Sequence, residues 1–259
     1  MKKKERIMNP IEIRGALRGA DEAFDKLFSV ETRFSEHLYK QSDARLPDMY
    51  DHNAFVTDGV PSVEELKVAQ SFQKENGNDF LKINSNIKLP GEILESFGLE
   101  EDRTDTMLLE KGHLDTWKRN SKVLIKNSKY DNIADDILSV ELQNYGEDYG
   151  EDFVKRKMRR YLAVSENTHN FYYFAAYIDG KIAGACYAFD SHGYVCVDGL
   201  AVNKPFRRQY VATTLLAHIV ETFGERLYLH ADAEDTPKNM YQRMGFHTVD
   251  VCFEYNYEE

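Results

Sequence analysis

Cysteine is scarce in this chain. Its 259 residues hold three, Cys186, Cys196 and Cys252. An odd, sparse set with no CxxC pair excludes a disulfide framework and points to a reducing, cytoplasmic setting. No HExxH and no Cys/His pair at metal-ligand spacing occurs, so no metal is expected. No apolar run approaches the roughly 20 residues that span a bilayer, so no membrane role is expected. The basic start MKKKER is not followed by an apolar core, so it reads as a solvated tail and not as a secretory signal. Positive charge is also in deficit: 33 Lys and Arg stand against 44 Asp and Glu, a net charge of −11. That balance disfavours a general nucleic-acid binder and is compatible with a cationic amine substrate.

What is present is a soluble globular composition, 42% hydrophobic and 30% charged, long enough for one large domain or two modest ones. The last 140 or so residues carry the clearest patterning. VLIKN (123–127) reads as a strand. Residues 131–143 place Ile133, Ile137, Leu138 and Val140 at helical spacing. A polar, aromatic loop follows, and 151–163 reads as a second helix. Two β-rich runs then flank Asp179-Gly180, a strong hairpin signal. After a turn at Ser191-His192-Gly193, YVCVDGLAV (194–202) reads as a third strand. Residues 210–223 form a helix with Val211, Leu215, Leu216, Ile219 and Val220 on one face, stopped by Gly224. RLYLHA (226–231) is a strand, 235–244 a helix closed by Gly245, and the end alternates as a final strand. A helix between strands 194–202 and 226–231 implies a parallel crossover, with a ligand expected where the first strand ends and the helix begins.

This order, with the Asp179-Gly180-Lys181 hairpin, the stretch LAVNKPFRRQYVATTLL and the stretch MYQRMGF, resembles the GNAT superfamily of N-acetyltransferases over about residues 121–259. The resemblance implies a mixed α/β fold and acetyl-CoA as co-substrate. It implies that the pantetheine arm lies along Leu200, Ala201 and Val202. The pyrophosphate would rest on the turn of the form Arg/Gln-x-x-Gly-x-Gly/Ala, here Arg207, Arg208, Gln209, Tyr210, Val211, Ala212 and Thr213. The physics is independent of the name: amides at a helix start and the positive end of its dipole attract phosphate, and Arg207 and Arg208 add charge. Tyr210 departs from the family pattern, which usually has Gly there, and its side chain must point away from the phosphates. The resemblance makes Tyr241 the general acid that protonates the departing thiolate. Glu234 and Pro237 stand where relatives often have Asn and Ala.

Asp198 lies four residues before Val202, and some relatives place an acid or base there. Strand alternation would put Asp198 on one face with Cys196, Leu200 and Val202, able to take a proton from an amine; a structural aspartate is the competing reading. Cys196 is read as packing, because direct transfer in a ternary complex needs no thiol. Between Gln143 and Phe153, Tyr145, Glu147, Asp148, Tyr149, Glu151 and Asp152 would suit a cationic acceptor. Acids placed before the basic run KRKMRR (155–160) also complement a helix dipole, and that is the preferred reading.

The first 120 residues are less legible. Residues 19–40 look helical and 41–50 look like a loop. Sliding the chain against itself by 147 positions pairs Gly245 with Gly98, Pro237 with Pro90, Gly224 with Gly77, Ala201 with Ala54 and Asp198 with Asp51. The element order repeats too: NAFV, helix 63–76, strand FLKI, helix 90–97, strand TMLLE. Residues 1–120 therefore read as a degenerate, partial GNAT-like copy, and 121–259 as the catalytic domain. The copy's loop 57–63 lacks the arginines, and Leu94 stands in for Tyr241, so this half is expected to shape the acceptor pocket and turn over nothing. Trp117 is expected near the junction.

The expected function is acetyl transfer to a primary amine of a small molecule or peptide, in a monomer or homodimer. Two alternatives remain. One is a non-catalytic acyl-CoA-binding or regulatory module. The other is aminoacyl transfer from charged tRNA, which the net charge and the lack of a basic coiled insertion disfavour.

Overall fold

A computed structural model describes residues 8–78, 80–233 and 236–258. The MKKKER start and Glu234 lie outside the described residues. In chain order the elements are α1 (Pro10–Asp25), β1 (Val30–Arg33), β2 (Leu38–Ser42), β3 (Phe55–Thr57), α2 (Val63–Glu75), β4 (Phe80–Ser85), α3 (Gly91–Phe97) and β5 (Glu100–Leu109). Then come β6 (Val123–Asn127), α4 (Ala134–Tyr149), α5 (Glu151–Asn167), β7 (Phe171–Ile178), β8 (Lys181–Ser191) and β9 (Tyr194–Val202). The chain ends with α6 (Val211–Phe223), β10 (Leu227–Asp232), α7 (Thr236–Arg243) and β11 (Phe246–Glu258).

The eleven strands of the described residues join one mixed sheet, in the order β1-β2-β3-β4-β11-β5-β10-β9-β8-β7-β6. The order is nearly symmetric about its centre. Strand β4 shifted by 147 positions falls on β10, and each is parallel to the strand before it, β3 and β9 respectively. The last strands of the two halves are exchanged: β5 lies between β11 and β10, and β11 lies between β4 and β5. Packing follows the exchange. Met107 and Leu109 of β5 join the core under α6, while Tyr255 of β11 joins Leu38, Phe55, Leu66, Leu81 and Ile83 in the core of the first half. The Tyr255 hydroxyl accepts the Leu89 amide at 2.7 Å.

Local sequence explains most elements. On β7, Phe171, Tyr173, Ala175 and Tyr177 face the α4–α5 layer, and Phe174, Ala176 and Ile178 face α6, so both faces are buried. The hairpin turns carry positive φ at Asp179-Gly180 and His192-Gly193, as two-residue turns require. Trp117 sits at the junction, buried, its indole N–H donating to the Met244 carbonyl at 2.8 Å.

Two expectations fail. Residues 19–40 are not a helix: α1 ends at Asp25, and β1 and β2 form an edge hairpin. The helix starts earlier because Asn9, Pro10 and Glu12 form a capping box with proline in the first turn. The stretch from Gln143 is no loop either. Helix α4 runs on to Tyr149, and Gly150 at φ 81° is the only break before α5.

Candidate functional site

The site begins with a parallel pair that separates. Strands β9 and β10 pair only at Val195–Leu227 and Cys196–Tyr228, after which the remainder of β9 has no partner on that side. The cause is a bulge. Tyr187 of β8 opposes Asp198 and Ala185 opposes Ala201, so Gly199 and Leu200 drop out of the ladder. Gly199 takes φ 61°, and a Cβ there would meet the Tyr187 ring at 3.2 Å.

The bulge corrects the expected face assignment. An extra residue reverses strand alternation, so Leu200 and Val202 pack toward α6, while Cys196 and Asp198 face the layer of α1, α4 and α5. Ala201 also faces that layer. Asp198 is therefore not on the face of Leu200 and Val202; it looks into the opposite side of the sheet at the point where the sheet opens.

On the α6 side, the 207–213 turn leads into the helix. Tyr210 is the N-cap residue, held at φ 60° and ψ 24°, with no side-chain cap on the helix. This is the backbone conformation that glycine adopts freely and that costs another residue on the order of 1 kcal/mol. The Tyr210 side chain is 47% exposed. Arg208 is likewise at φ 62° and exposed, and among the described residues no acid pairs with it. Arg207 is engaged elsewhere: its guanidinium donates to the Val202 carbonyl at 3.0 Å and to Asn144 Oδ1 at 3.1 Å, bracing the end of β9 against α4. Gln209 donates to the Pro205 carbonyl. Val211 is core, so only its backbone is available, while Ala212 and Thr213 are partly exposed. The first amides of a helix lack intrahelical partners, and no acid occupies the first turn of α6.

The repeat supplies a contrast. The start of α2 is capped by Ser62 in a capping box with Glu65, and Glu64 and Glu65 fill its first turn. Strand β3 stays paired with β4 along its whole length. Among the described residues the first half thus has no opened strand pair and no acid-poor helix start.

Tyr241 is on α7, partly buried against the α6-side core, its ring 5.8 Å from that of Phe246. Leu94, its counterpart, packs into the core of the first half.

On the other side of the sheet lies a cavity of about 770 Å³. Its wall carries Asp51, Glu141, Asp148 and Asp198 with Tyr145, Tyr161 and Tyr187 among its aromatics, and both halves of the chain contribute. Tyr187 donates to Asp198 Oδ2 at 2.5 Å, and the Gly199 amide donates to Oδ1 at 2.6 Å, so the carboxylate is fixed at both oxygens. Lys82 bridges Asp51 and Glu254, each at 2.5 Å, and Lys157 pairs with Glu141 at 3.2 Å. Burial pushes the Tyr145 hydroxyl up to about 12, with Glu141 and Asp198 adding to the shift, so it remains a neutral donor. Of the acidic stretch, Tyr145, Asp148 and Tyr149 line this cavity, while Glu147, Glu151 and Asp152 do not.

Four of the five basic residues of the run 155–160 form ion pairs: Lys155 with Glu151, Arg156 with Asp48, Lys157 with Glu141 and Arg160 with Asp43. Two of these, with the Tyr161–His52 hydrogen bond at 3.0 Å, fasten α5 to the 43–53 segment of the first half. Sequence reasoning met Asp51 only as the 147-residue partner of Asp198 and missed Tyr187, Lys82 and the rest of the 48–51 wall. Nothing in their spacing marks them, because they converge only when β8 and the first half meet α4 and α5.

A second cavity of about 370 Å³ shares Asp51, Tyr161, Tyr187 and Asp198 with the first. Its wall includes Asp25, whose carboxyl burial pushes up to about 7, partly offset by the Gln41 amide at 2.9 Å. Among the described residues no helix is long and apolar enough to cross a membrane.

With this geometry in view, residues 135–246 match the acetyltransferase (GNAT) family. No curated protein matches the chain. Solved structures with a similar fold cover nearly all of it. One is a conserved protein of unknown function from Staphylococcus epidermidis (TM-score 0.77, 18% identity, 89% of this chain and 94% of that one). Another is a GCN5-related N-acetyltransferase from Kribbella flavida (TM-score 0.65, 14% identity, 95% of each chain). A third is a tandem GNAT protein from the clavulanic acid biosynthesis pathway (TM-score 0.56, 13% identity, 85% of this chain and 78% of that one). The match at 135–246 thus lies within a fold that these structures share over both halves of the chain.

Proposed function

We propose that the chain, through its GNAT-family domain, is an acetyl-CoA-dependent N-acetyltransferase that acetylates a primary amine of a small molecule or peptide. The observation that carries this reading is the opening between β9 and β10. It has an uncapped, acid-poor helix start on one side and an acidic, tyrosine-lined cavity on the other, with Asp198 at the boundary.

The amides of the 207–213 turn and the charge of Arg208 hold the pyrophosphate, and the unpaired edge of β9 holds the pantetheine arm along Leu200, Ala201 and Val202. The acceptor enters the cavity as an ammonium ion drawn by its carboxylates. Asp198, fixed by Tyr187 and the Gly199 amide, takes the proton directly or through a water. The free amine attacks the thioester carbonyl, and a backbone N–H near Val202 meets the developing oxyanion. Collapse breaks the C–S bond and expels the thiolate, which takes a proton from Tyr241, and the second proton lost by the attacking nitrogen restores the phenol through solvent. Residues 1–120 act as a degenerate copy that walls the cavity through Asp48–Asp51 and Lys82 and performs no transfer.

A second reading, a non-catalytic acyl-CoA-binding module, is favoured by one observation: the Arg207 guanidinium is committed to Val202 and Asn144. The experiment is a thermal titration with acetyl-CoA, followed by an amine panel read as release of free CoA thiol. At about 100 times the dissociation constant, acetyl-CoA should add roughly 2.7 kcal/mol of stability. Asp198→Asn and Tyr241→Phe should keep that shift and lose about 10²–10⁴-fold in turnover. Stabilisation without thiol release for any amine supports the module reading. No stabilisation removes both.

A further inference from the structure

We propose that Asp21, Cys196 and His230 form a binding site for a divalent transition-metal ion of the zinc class. One ligand atom of each lies within 4.8 Å of those of the other two. They come from three elements, α1, β9 and β10, and their positions in sequence carry no ligand motif. The topology brings them together: Tyr228 pairs with Cys196, His230 follows two residues on along the same face, and α1 lays Asp21 over both.

The groups around the trio are those a metal site needs. Within the trio His230 Nε2 lies 3.1 Å from Asp21 Oδ1, a contact that a bound ion would replace, and outside it the ring's Nδ1 lies 3.4 Å from Thr106 Oγ1, which fixes the ring plane. Tyr228 donates to Asp21 Oδ1 at 2.7 Å and orients the carboxylate. Such outer partners set the direction of ligating side chains. A thiolate, a carboxylate and a neutral imidazole carry two negative charges, which a divalent ion neutralises. The sulfur and nitrogen donors select zinc or cobalt over magnesium or calcium. All three residues line the 370 Å³ cavity, which provides an entry path and room for a water as fourth ligand. The bound ion would pin α1, from the first half, to the two strands that open at the candidate active site.

The test uses the full chain stripped with a chelator and titrated with cobalt(II), then zinc(II). We expect one equivalent of cobalt to produce tetrahedral d–d bands and a thiolate-to-cobalt charge-transfer band, and zinc to displace it and raise Tm. Cys196→Ser should abolish the charge-transfer band, and Cys252→Ser, in the same cavity, should keep it. X-ray absorption of the zinc-loaded wild type needs no variant and should show one sulfur at about 2.3 Å with nitrogen and oxygen neighbours. A wild type that binds no cobalt in this coordination, a zinc shell without sulfur, or a band that survives Cys196→Ser would each overturn the assignment.

Discussion

Thr213→Glu should move stability and cofactor binding in opposite directions. Thr213 is the third residue of α6, whose start has neither a cap nor an acid, whereas the third residue of α2 is Glu65, part of a capping box. A glutamate at 213 meets the positive end of the helix dipole and should stabilise the ligand-free protein by about 0.3–1 kcal/mol. The same carboxylate occupies the place proposed for the pyrophosphate. At about 5 Å and an effective dielectric of about 20, each repelling charge pair costs about 3 kcal/mol. That corresponds to a loss of at least about 100-fold in affinity for acetyl-CoA. Thermal unfolding with and without acetyl-CoA reads both effects in one experiment: an equal or higher Tm without ligand, and the ligand-induced rise gone. A variant that keeps the full rise would refute the placement of the phosphates at α6. A variant that loses stability without ligand would refute the reading of the helix start as unsatisfied.

Three further outcomes follow from packing and burial. Asp25 has a raised carboxyl, about 7 against 3.8, so the folded state prefers it protonated. Stability is then full below about pH 4 and falls by on the order of 4 kcal/mol as pH rises to 7. Asp25→Asn should therefore gain in urea midpoint over wild type at pH 8 and match it at pH 4; an equal difference at both would refute the assignment. A Cβ at Gly184 would lie 2.6 Å from the Ala201 carbonyl, which is backbone and cannot rotate away. Gly184→Ala should cost about 1–3 kcal/mol in urea unfolding and weaken the response to acetyl-CoA, and a neutral substitution would show that β9 is not held as described. Trp117→Phe removes the indole donor from the buried Met244 carbonyl and should cost about 1–3 kcal/mol, read by denaturant midpoint.

Local patterns account for the second half. The runs at 171–178 and 194–202 can bury two faces only as strands, Asp179-Gly180 needs the positive φ of a tight turn, and the apolar stripe from Val211 to Val220 closes on Gly224. Each of these choices is set by a few neighbouring residues. Gly77, Gly98, Gly224 and Gly245, which the 147-residue shift pairs, all take positive φ where a helix ends. The edge hairpin β1–β2 was not legible, since its exposed first strand lacks the alternation that burial imposes.

By itself, then, the sequence determined the element order of the second half, because each of its strands, helices and turns follows from spacing within about 20 residues. Only the tertiary structure decided which face Asp198 serves, because one extra residue at Gly199 reverses every side chain after it. It alone exchanged β5 and β11, since strand neighbours are chosen by packing between distant segments. It alone assembled the acceptor cavity and the Asp21–Cys196–His230 trio, whose members are separated by up to 209 positions and meet only when the two halves close on each other.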